Sequence, residues 1–294
     1  MLTLRQIERN ISAIGARFDP IVLRDTRALY RQLVEVQPWM DRAVMGDVAY
    51  GDHERHRLDI YPPHADSAPV LLFVHGGGFV AGDKSGDAVF YGNVGRYFAA
   101  AGFCTVTMNY RLAPAYGWPS GAEDVAAAID WIVRNIRHHR GDPDRIFLLG
   151  HSAGATHSAT YLLDPRVDTP HRSRIIRAAL IGGFYAAQPP LQSGPAAYFG
   201  TDESLWKERS PASHADNPHP PLLLAVAQYD PSSIADQSYL LAGALNRADG
   251  MPPRLTWLET HNHVSSMYGL GLGTDDVGRT LGEFFAPASS VRVV

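Results

Sequence analysis

Apolar positions follow two periods along this chain, and the switches between them mark out its elements. Leu4, Ile7, Ile11 and Ile14 recur at helical spacing, and Leu29, Leu33 and Val36 resume it beyond an interruption at Asp19-Pro20. Residues 1–40 therefore read as two amphipathic helices, either part of a cap or a docking arm ahead of the main fold. From 44 to 61 the pattern is that of a hairpin, with a turn at Gly51-Asp52 and alternation through Arg57-Leu58-Asp59-Ile60-Tyr61. Val70-Leu71-Leu72-Phe73-Val74 is a continuous apolar run, as expected of a strand buried on both faces.

Beyond that run, strand and helix patterns alternate. A helix is predicted around 86–101 and a strand over 103–109. Val125, Ile129, Ile132, Val133 and Ile136 mark a strong helix. Strands follow at 146–149, 175–181, 222–227 and 255–258, and helices at 153–163, 234–248 and 275–286. This order predicts an α/β fold, a mostly parallel sheet with helices on both faces. Residues 183–220, rich in Pro, Gly, Ser and aromatics, break the rhythm and read as an insertion over the sheet edge. The expected division is an N-terminal helical segment over 1–43, a candidate cap, and an α/β domain over 44–294 with the cap-like insertion at 183–220.

Composition narrows the class. A chain of 294 residues buries roughly three quarters of its unfolded surface, so it needs no disulfide or structural metal to fold. Charged residues are 19% and apolar ones 45%, which argues against a disordered chain. Lys plus Arg (26) nearly balance Asp plus Glu (30), with no long basic run, so nucleic-acid binding has no electrostatic footprint. The single cysteine, Cys104, excludes an intramolecular disulfide and C-x-x-C motifs, and its apolar context reads as a buried strand. No signal-like h-region and no apolar stretch of membrane-spanning length is visible. A cytoplasmic protein without membrane partners is expected, with a mature chain stripped of its signal as the alternative.

The chemistry sits at the predicted strand ends. Gly150-His151-Ser152-Ala153-Gly154 follows an apolar strand and precedes a small-residue helix, the context of a nucleophile elbow. The tight turn strains the serine backbone, and flanking glycines let strand and helix approach. His75-Gly76-Gly77-Gly78-Phe79 ends another strand, where consecutive glycines let backbone amides face a ligand. The amides of Gly77, Gly78 and Ala153 are the candidate oxyanion donors. A serine nucleophile needs a base and the base an orienting acid. Of 13 histidines, His263, between the last strand and last helix, is preferred, with His261 as rival. Asp230 ends the strand before it and gives the chain order Ser, Asp, His; Asp236, Glu259 and Asp275 are its rivals. Phe79, His151, Tyr185 and Trp206 are the candidate substrate-pocket residues.

With these motifs in place, the chain resembles the α/β-hydrolases over roughly 45–286. It is similar to the hormone-sensitive-lipase-like carboxylesterases and to the related feruloyl-esterase and kynurenine-formamidase-like group. The resemblance is carried by Arg57-Leu58-Asp59-Ile60-Tyr61-Pro62, His75 to Phe79, Gly82-Asp83-Lys84, Tyr110-Arg111-Leu112-Ala113-Pro114, Gly150 to Gly154, Asp230 and His263. It implies an α/β-hydrolase fold with an eight-stranded sheet, hydrolysis without a cofactor or metal, and an acyl-serine intermediate. His151 stands where hormone-sensitive-lipase-like esterases carry an acidic residue. Pro231-Ser232-Ser233 stands where their aspartate motif runs on to a second acid. Short-chain or aryl esters are the leading substrates, formamides, amides or lactones the alternatives, and a non-catalytic binding protein the reading from another class. A small-molecule ester or amide is the expected partner, and a homodimer the candidate assembly. Activity is expected to fall on acidification as the histidine base protonates.

Other patterns carry less. Asp83 between Gly82 and Lys84 spoils a phosphate-binding loop by placing an anion where phosphate would sit. Gly269-Leu270-Gly271-Leu272-Gly273 lacks the third glycine of a dinucleotide fingerprint at its spacing. His53-Glu54-Arg55-His56 is one residue short of a zinc motif. His157, in the helix after Ser152, reads as structural.

Overall fold

The computed structural model describes residues 2–87, 89–167, 170–273 and 276–286. Two helices lead: α1 (Leu4–Ile14) and α2 (Pro20–Glu35). The Asp19-Pro20 interruption is the start of α2. The Asp19 carboxylate accepts from the amides of Ile21 and Val22, and Pro20 occupies a first-turn position where no amide hydrogen is needed.

The hairpin follows as β1 (Met45–Ala49) and β2 (Arg57–Tyr61), then β3 (Ala68–Val74), α3 (Gly92–Ala100), β4 (Cys104–Met108), α4 (Ser120–Asn135), β5 (Gly141–His151) and α5 (Ala153–Leu163). After β6 (Ile175–Ile181) come two short helices, α6 (Ser193–Phe199) and α7 (Trp206–Arg209). The chain then runs through β7 (Leu222–Tyr229), α8 (Ser232–Asp249), β8 (Arg254–Asn262), α9 (Ser265–Tyr268) and α10 (Asp276–Phe285). The eight strands form one sheet in the order β1-β2-β4-β3-β5-β6-β7-β8. β1–β2 and β2–β4 are antiparallel and every other pairing is parallel.

Successive side chains of a strand point to opposite faces, and β3 shows the result. Val70, Leu72 and Val74 join a core with α4, α5 and α8, while Leu71 and Phe73 join a second core with α1, α2, α3 and α10. The sheet is thus buried on both sides, which is why its strands read as unbroken apolar runs. A third, smaller cluster joins Phe79, Ala113 and Ala153 to Tyr198, Phe199 and Trp206 of the 183–220 segment.

Element boundaries depart from expectation in two places. The helix expected over 86–101 begins only at Gly92. Before it, the Asp87 carboxylate accepts from the amides of Val89 and Phe90, closing a turn that competes with helix. β5 begins at Gly141 rather than 146, because Gly141 and Asp142 pair with Ala68 and Pro69 of β3 ahead of a register shift. Among the described residues no helix is long and apolar enough to cross a membrane.

Candidate active site

The turn from β5 into α5 places Ser152 at φ 54° and ψ −124°, a left-handed region costly for a residue with a side chain. The flanking glycines make that turn feasible. A Cβ on Gly154 would stand 2.1 Å from the Val74 carbonyl oxygen, and one on Gly150 would stand 2.6 Å from the Ala155 Cα. The Ser152 amide donates to the Ile181 carbonyl at 2.8 Å, fastening the elbow to β6.

Three chain segments meet at the serine hydroxyl. The Ser152 Oγ donates to Nε2 of His263 at 2.9 Å. The opposite ring nitrogen, Nδ1, donates to Oδ1 of Asp230 at 2.8 Å. Asp230 is itself held, its Oδ2 accepting from the Ala227 amide at 2.8 Å. Both partners of the serine are buried, and the edge of the Phe18 ring lies against His263 with centroids 4.7 Å apart. The rivals stand elsewhere. His261 bonds through Nδ1 to Ser265 Oγ at 3.0 Å. Asp236 lies on α8, Glu259 is exposed on β8, and Asp275 falls outside the described residues.

The glycine turn after β3 reaches the same place. Gly77 has φ 151° and Gly78 φ 59°. A Cβ on Gly77 would collide with the Ala81 carbonyl oxygen at 1.9 Å. Among the described residues neither the Gly77 nor the Gly78 amide donates to a protein acceptor. Gly78 and Ala153 line a cavity of about 630 Å³ that opens over Ser152, and Gly77 is not among its lining residues.

Of the expected pocket residues only Phe79 lines this cavity. His151 does not. Its ring is fully buried behind the serine, held by Tyr91 Oη at 3.0 Å and the His263 carbonyl at 2.8 Å. Tyr185 turns into the core, its phenol oxygen accepting from the Gly183 amide at 3.2 Å. Trp206 is buried in the third cluster, its indole N–H donating to the Gly200 carbonyl at 2.8 Å. Each of these side chains has an internal hydrogen-bond partner that a pocket position would forfeit. The cavity walls come instead from Phe18, Phe184, the Gln188–Pro195 stretch, and one face of α8 from Ser233 to Arg247. Only the α8 face left a sequence signal, its lining positions recurring at spacings of three and four.

Burial sets the protonation of the histidines around the site. Desolvation pushes His151 down to about 3, His157 to about 3 and His75 to about 4, so all three are neutral. His157 bonds to Tyr198 Oη at 3.2 Å, in keeping with a structural role. Among the described residues no group of His, Cys, Asp or Glu is clustered so as to hold a metal ion.

Known proteins resemble this chain in both sequence and architecture. Residues 58–164, from β2 through the elbow and α5, match the BD-FAE family model. Esterase LipI of Mycobacterium tuberculosis is 32% identical over 240 residues, a match covering 70% of this chain and 67% of that protein. The chain belongs to the α/β-hydrolase esterases. Another such relative, the probable carboxylic ester hydrolase LipM of the same organism, is 36% identical over 132 residues, 43% of this chain. That match spans only 30% of LipM, and the chain covers a similar share of several other esterases it matches. The esterase of Pyrobaculum calidifontis superposes with a TM-score of 0.71 over 96% of both chains at 23% identity, and so shares the fold.

Proposed function

We propose that this protein is a serine-dependent carboxylic ester hydrolase acting on short-chain or aryl esters through an acyl-serine intermediate. The observation that carries the reading is the unbroken hydrogen-bond chain Ser152–His263–Asp230 at the floor of an open cavity. In this reading His263 takes the Ser152 proton as Oγ attacks the substrate carbonyl carbon. Asp230 keeps the proton on Nδ1, so Nε2 is free to act as base and steadies the imidazolium that forms. The carbonyl oxygen gains negative charge and is received by the Gly77, Gly78 and Ala153 amides, the last at the N-terminal end of α5. Collapse of the tetrahedral intermediate breaks the ester C–O bond, and His263 returns the proton to the leaving alcohol. Water, deprotonated by the same histidine, then cleaves the acyl-serine and restores the hydroxyl.

The N-terminal segment and the 183–220 insertion together act as the cap. What supports this is that Phe18 comes from the first and Gln188 to Pro195 from the second, and both wall the cavity.

The test is kcat/KM across 4-nitrophenyl esters from acetate to decanoate, with the matching formanilide and a simple lactone, against Ser152→Ala as blank. A Ser152-dependent maximum at short acyl chains is expected. Preference for the formanilide or the lactone would move the assignment to a formamidase or lactonase. No Ser152-dependent turnover, together with no labelling by a fluorophosphonate, would leave a binding protein.

A further inference from the structure

We propose that the cavity selects extended esters bearing a carboxylate-type anion at the end remote from the reacting carbonyl, and that Arg247 receives that anion. This rests on the ester-hydrolase reading above and names the substrate class of the same site.

The cavity is elongated. Ser233, Asp236, Leu240, Gly243 and Arg247 recur at spacings of three and four, so one face of α8 forms a continuous wall leading away from Ser152. The near end is fixed by Ile234, which stands with His263 around Gly182. The facing wall is clamped to the same helix. The Gln237 Oε1 accepts from the Tyr185 and Ala186 amides at 2.8 and 2.7 Å, and its Nε2 donates to the Ala186 carbonyl at 3.1 Å. The groove is therefore preformed rather than a gap between independent loops.

Two features mark its far end. Gly243 lies inside an 18-residue helix, where glycine is among the poorest helix formers. Its φ is ordinary, and a Cβ there would meet only the Arg247 Nη1, at 3.4 Å. Neither backbone nor core packing calls for a glycine; what its missing side chain leaves is an open groove floor. The Arg247 guanidinium folds back over that floor toward the site. Arg247 has no carboxylate partner among the described residues, whereas Arg111, Arg166 and Arg174 are all paired. The charge gradient gives a direction. Asp236 lines the near part of the groove and disfavours an anion close to the ester, while Arg247 favours one beyond it. Gly243 lies nine positions beyond Ile234, about 14 Å along a helix axis. The ligand is thus an ester with a medium-length apolar spacer and a terminal carboxylate.

The experiment compares mono(4-nitrophenyl) esters of dicarboxylic acids, from succinate to dodecanedioate, with the same esters capped as methyl esters. A second series, acetates of ω-hydroxy acids and their methyl esters, places the anion on the alcohol side. In one series the anionic-to-neutral ratio of kcat/KM should rise with length to about fivefold, the scale of an exposed ion pair. That ratio should fall to about one in Arg247→Gln, fall below one in Arg247→Glu, and shrink with added salt. Gly243→Leu should depress long substrates relative to short ones. A ratio near one at every length in both series, or a ratio retained in Arg247→Gln, would overturn the inference alone. Loss of Ser152-dependent turnover of neutral 4-nitrophenyl butyrate in the wild type would instead overturn the hydrolase reading, and this inference with it.

Discussion

The His151 imidazole donates from Nε2 to the backbone carbonyl of His263 at 2.8 Å, tying the residue before the candidate nucleophile to the candidate base. The carbonyl only accepts, so Nε2 carries the proton. The neutral ring then leaves Nδ1 to accept from the Tyr91 hydroxyl at 3.0 Å. The Tyr91 oxygen also stands close to the glycine turn, where a Cβ on Gly76 would meet it at 2.9 Å. One buried chain of hydrogen bonds therefore runs from Tyr91, through His151, to the backbone of His263. His151 and Tyr91 are positioning residues in this arrangement. Tyr91→Phe leaves the buried His151 Nδ1 unsatisfied and should cost about 1–3 kcal/mol of stability. It should also lower kcat with KM little changed, and His151→Gln, which keeps a donor, should retain more kcat than His151→Leu. Urea unfolding beside steady-state kinetics checks this, and an unchanged kcat in both Tyr91→Phe and His151→Leu would reduce the chain to packing.

Lys84 makes a separable prediction about the loop that follows the glycine turn. Its ammonium is buried at 3.0 Å from Asp59 Oδ1 and 2.8 Å from Asp47 Oδ1, with Asp59 buried and Asp47 exposed. Burial alone would lower the Lys84 pKa, but these carboxylates raise it, so the side chain is a cation. Lys84→Met strands the Asp59 carboxylate and should cost roughly 3–5 kcal/mol. The double variant Lys84→Met with Asp59→Leu should recover most of that loss, because it removes both charges. Urea midpoints of the two variants decide it; a single variant within 1 kcal/mol of wild type would mean the pair is idle.

How far the sequence was legible follows from the range of the forces involved. α5 at 153–163 and β6 at 175–181 were readable to the residue, because Gly150 and Gly154 fix where strand becomes helix and an apolar run fixes the strand. Ser152, Asp230 and His263, which the structure links by hydrogen bonds, could be singled out as candidates because each directly follows the C-terminal end of a strand. The cavity wall was not. Whether an aromatic side chain faces a core or a pocket is decided by tertiary partners, and Tyr185 and Trp206 found theirs at Gly183 and Gly200. Phe18 reaches the site from more than 200 residues away in sequence, a contact without local pattern. Gln237 is polar and carries no motif, yet it is buried and holds two backbone amides.

The elbow glycines are testable by adding a single methyl group. Gly154→Ala places a Cβ 2.1 Å from the Val74 carbonyl oxygen, a backbone atom that cannot swing aside. The strand or the helix must shift, at a cost of about 1–3 kcal/mol or more, and Ser152 shifts with it. Activity should fall by more than the loss of folded protein explains. Gly282→Ala is the control on α10, where nothing lies within 4 Å of the added atom. It should stabilise by up to about 1 kcal/mol, since alanine is the better helix former, and leave kcat/KM unchanged. Thermal melts and kinetics on both variants make the comparison.

The buried neutral histidines fix how stability changes with pH. His75, His151 and His157 are depressed by desolvation to about 4, 3 and 3, against about 6.5 for an exposed histidine in the unfolded chain. Above pH 6.5 neither state binds a proton at these sites and they contribute no slope. As pH falls below about 6.5, the unfolded chain takes up protons that the folded one refuses, so stability declines until the folded values are reached. Each group can contribute up to about 1.4 kcal/mol per pH unit within that window. Below about pH 4 a second loss begins. The carboxylate of Asp83, held down to about 2 by bonds from Ser85 and Asn109 that outweigh its burial, then gains protons more readily in the unfolded chain. The urea midpoint should therefore fall steadily from pH 6.5 to pH 4 and go on falling beneath it, as the aspartate takes over from the histidines. Replacing His157 with Gln should lower the midpoint at pH 7 yet flatten its slope between pH 6 and 4. A midpoint independent of pH across that range would mean that these rings take up protons in the folded state as readily as in water.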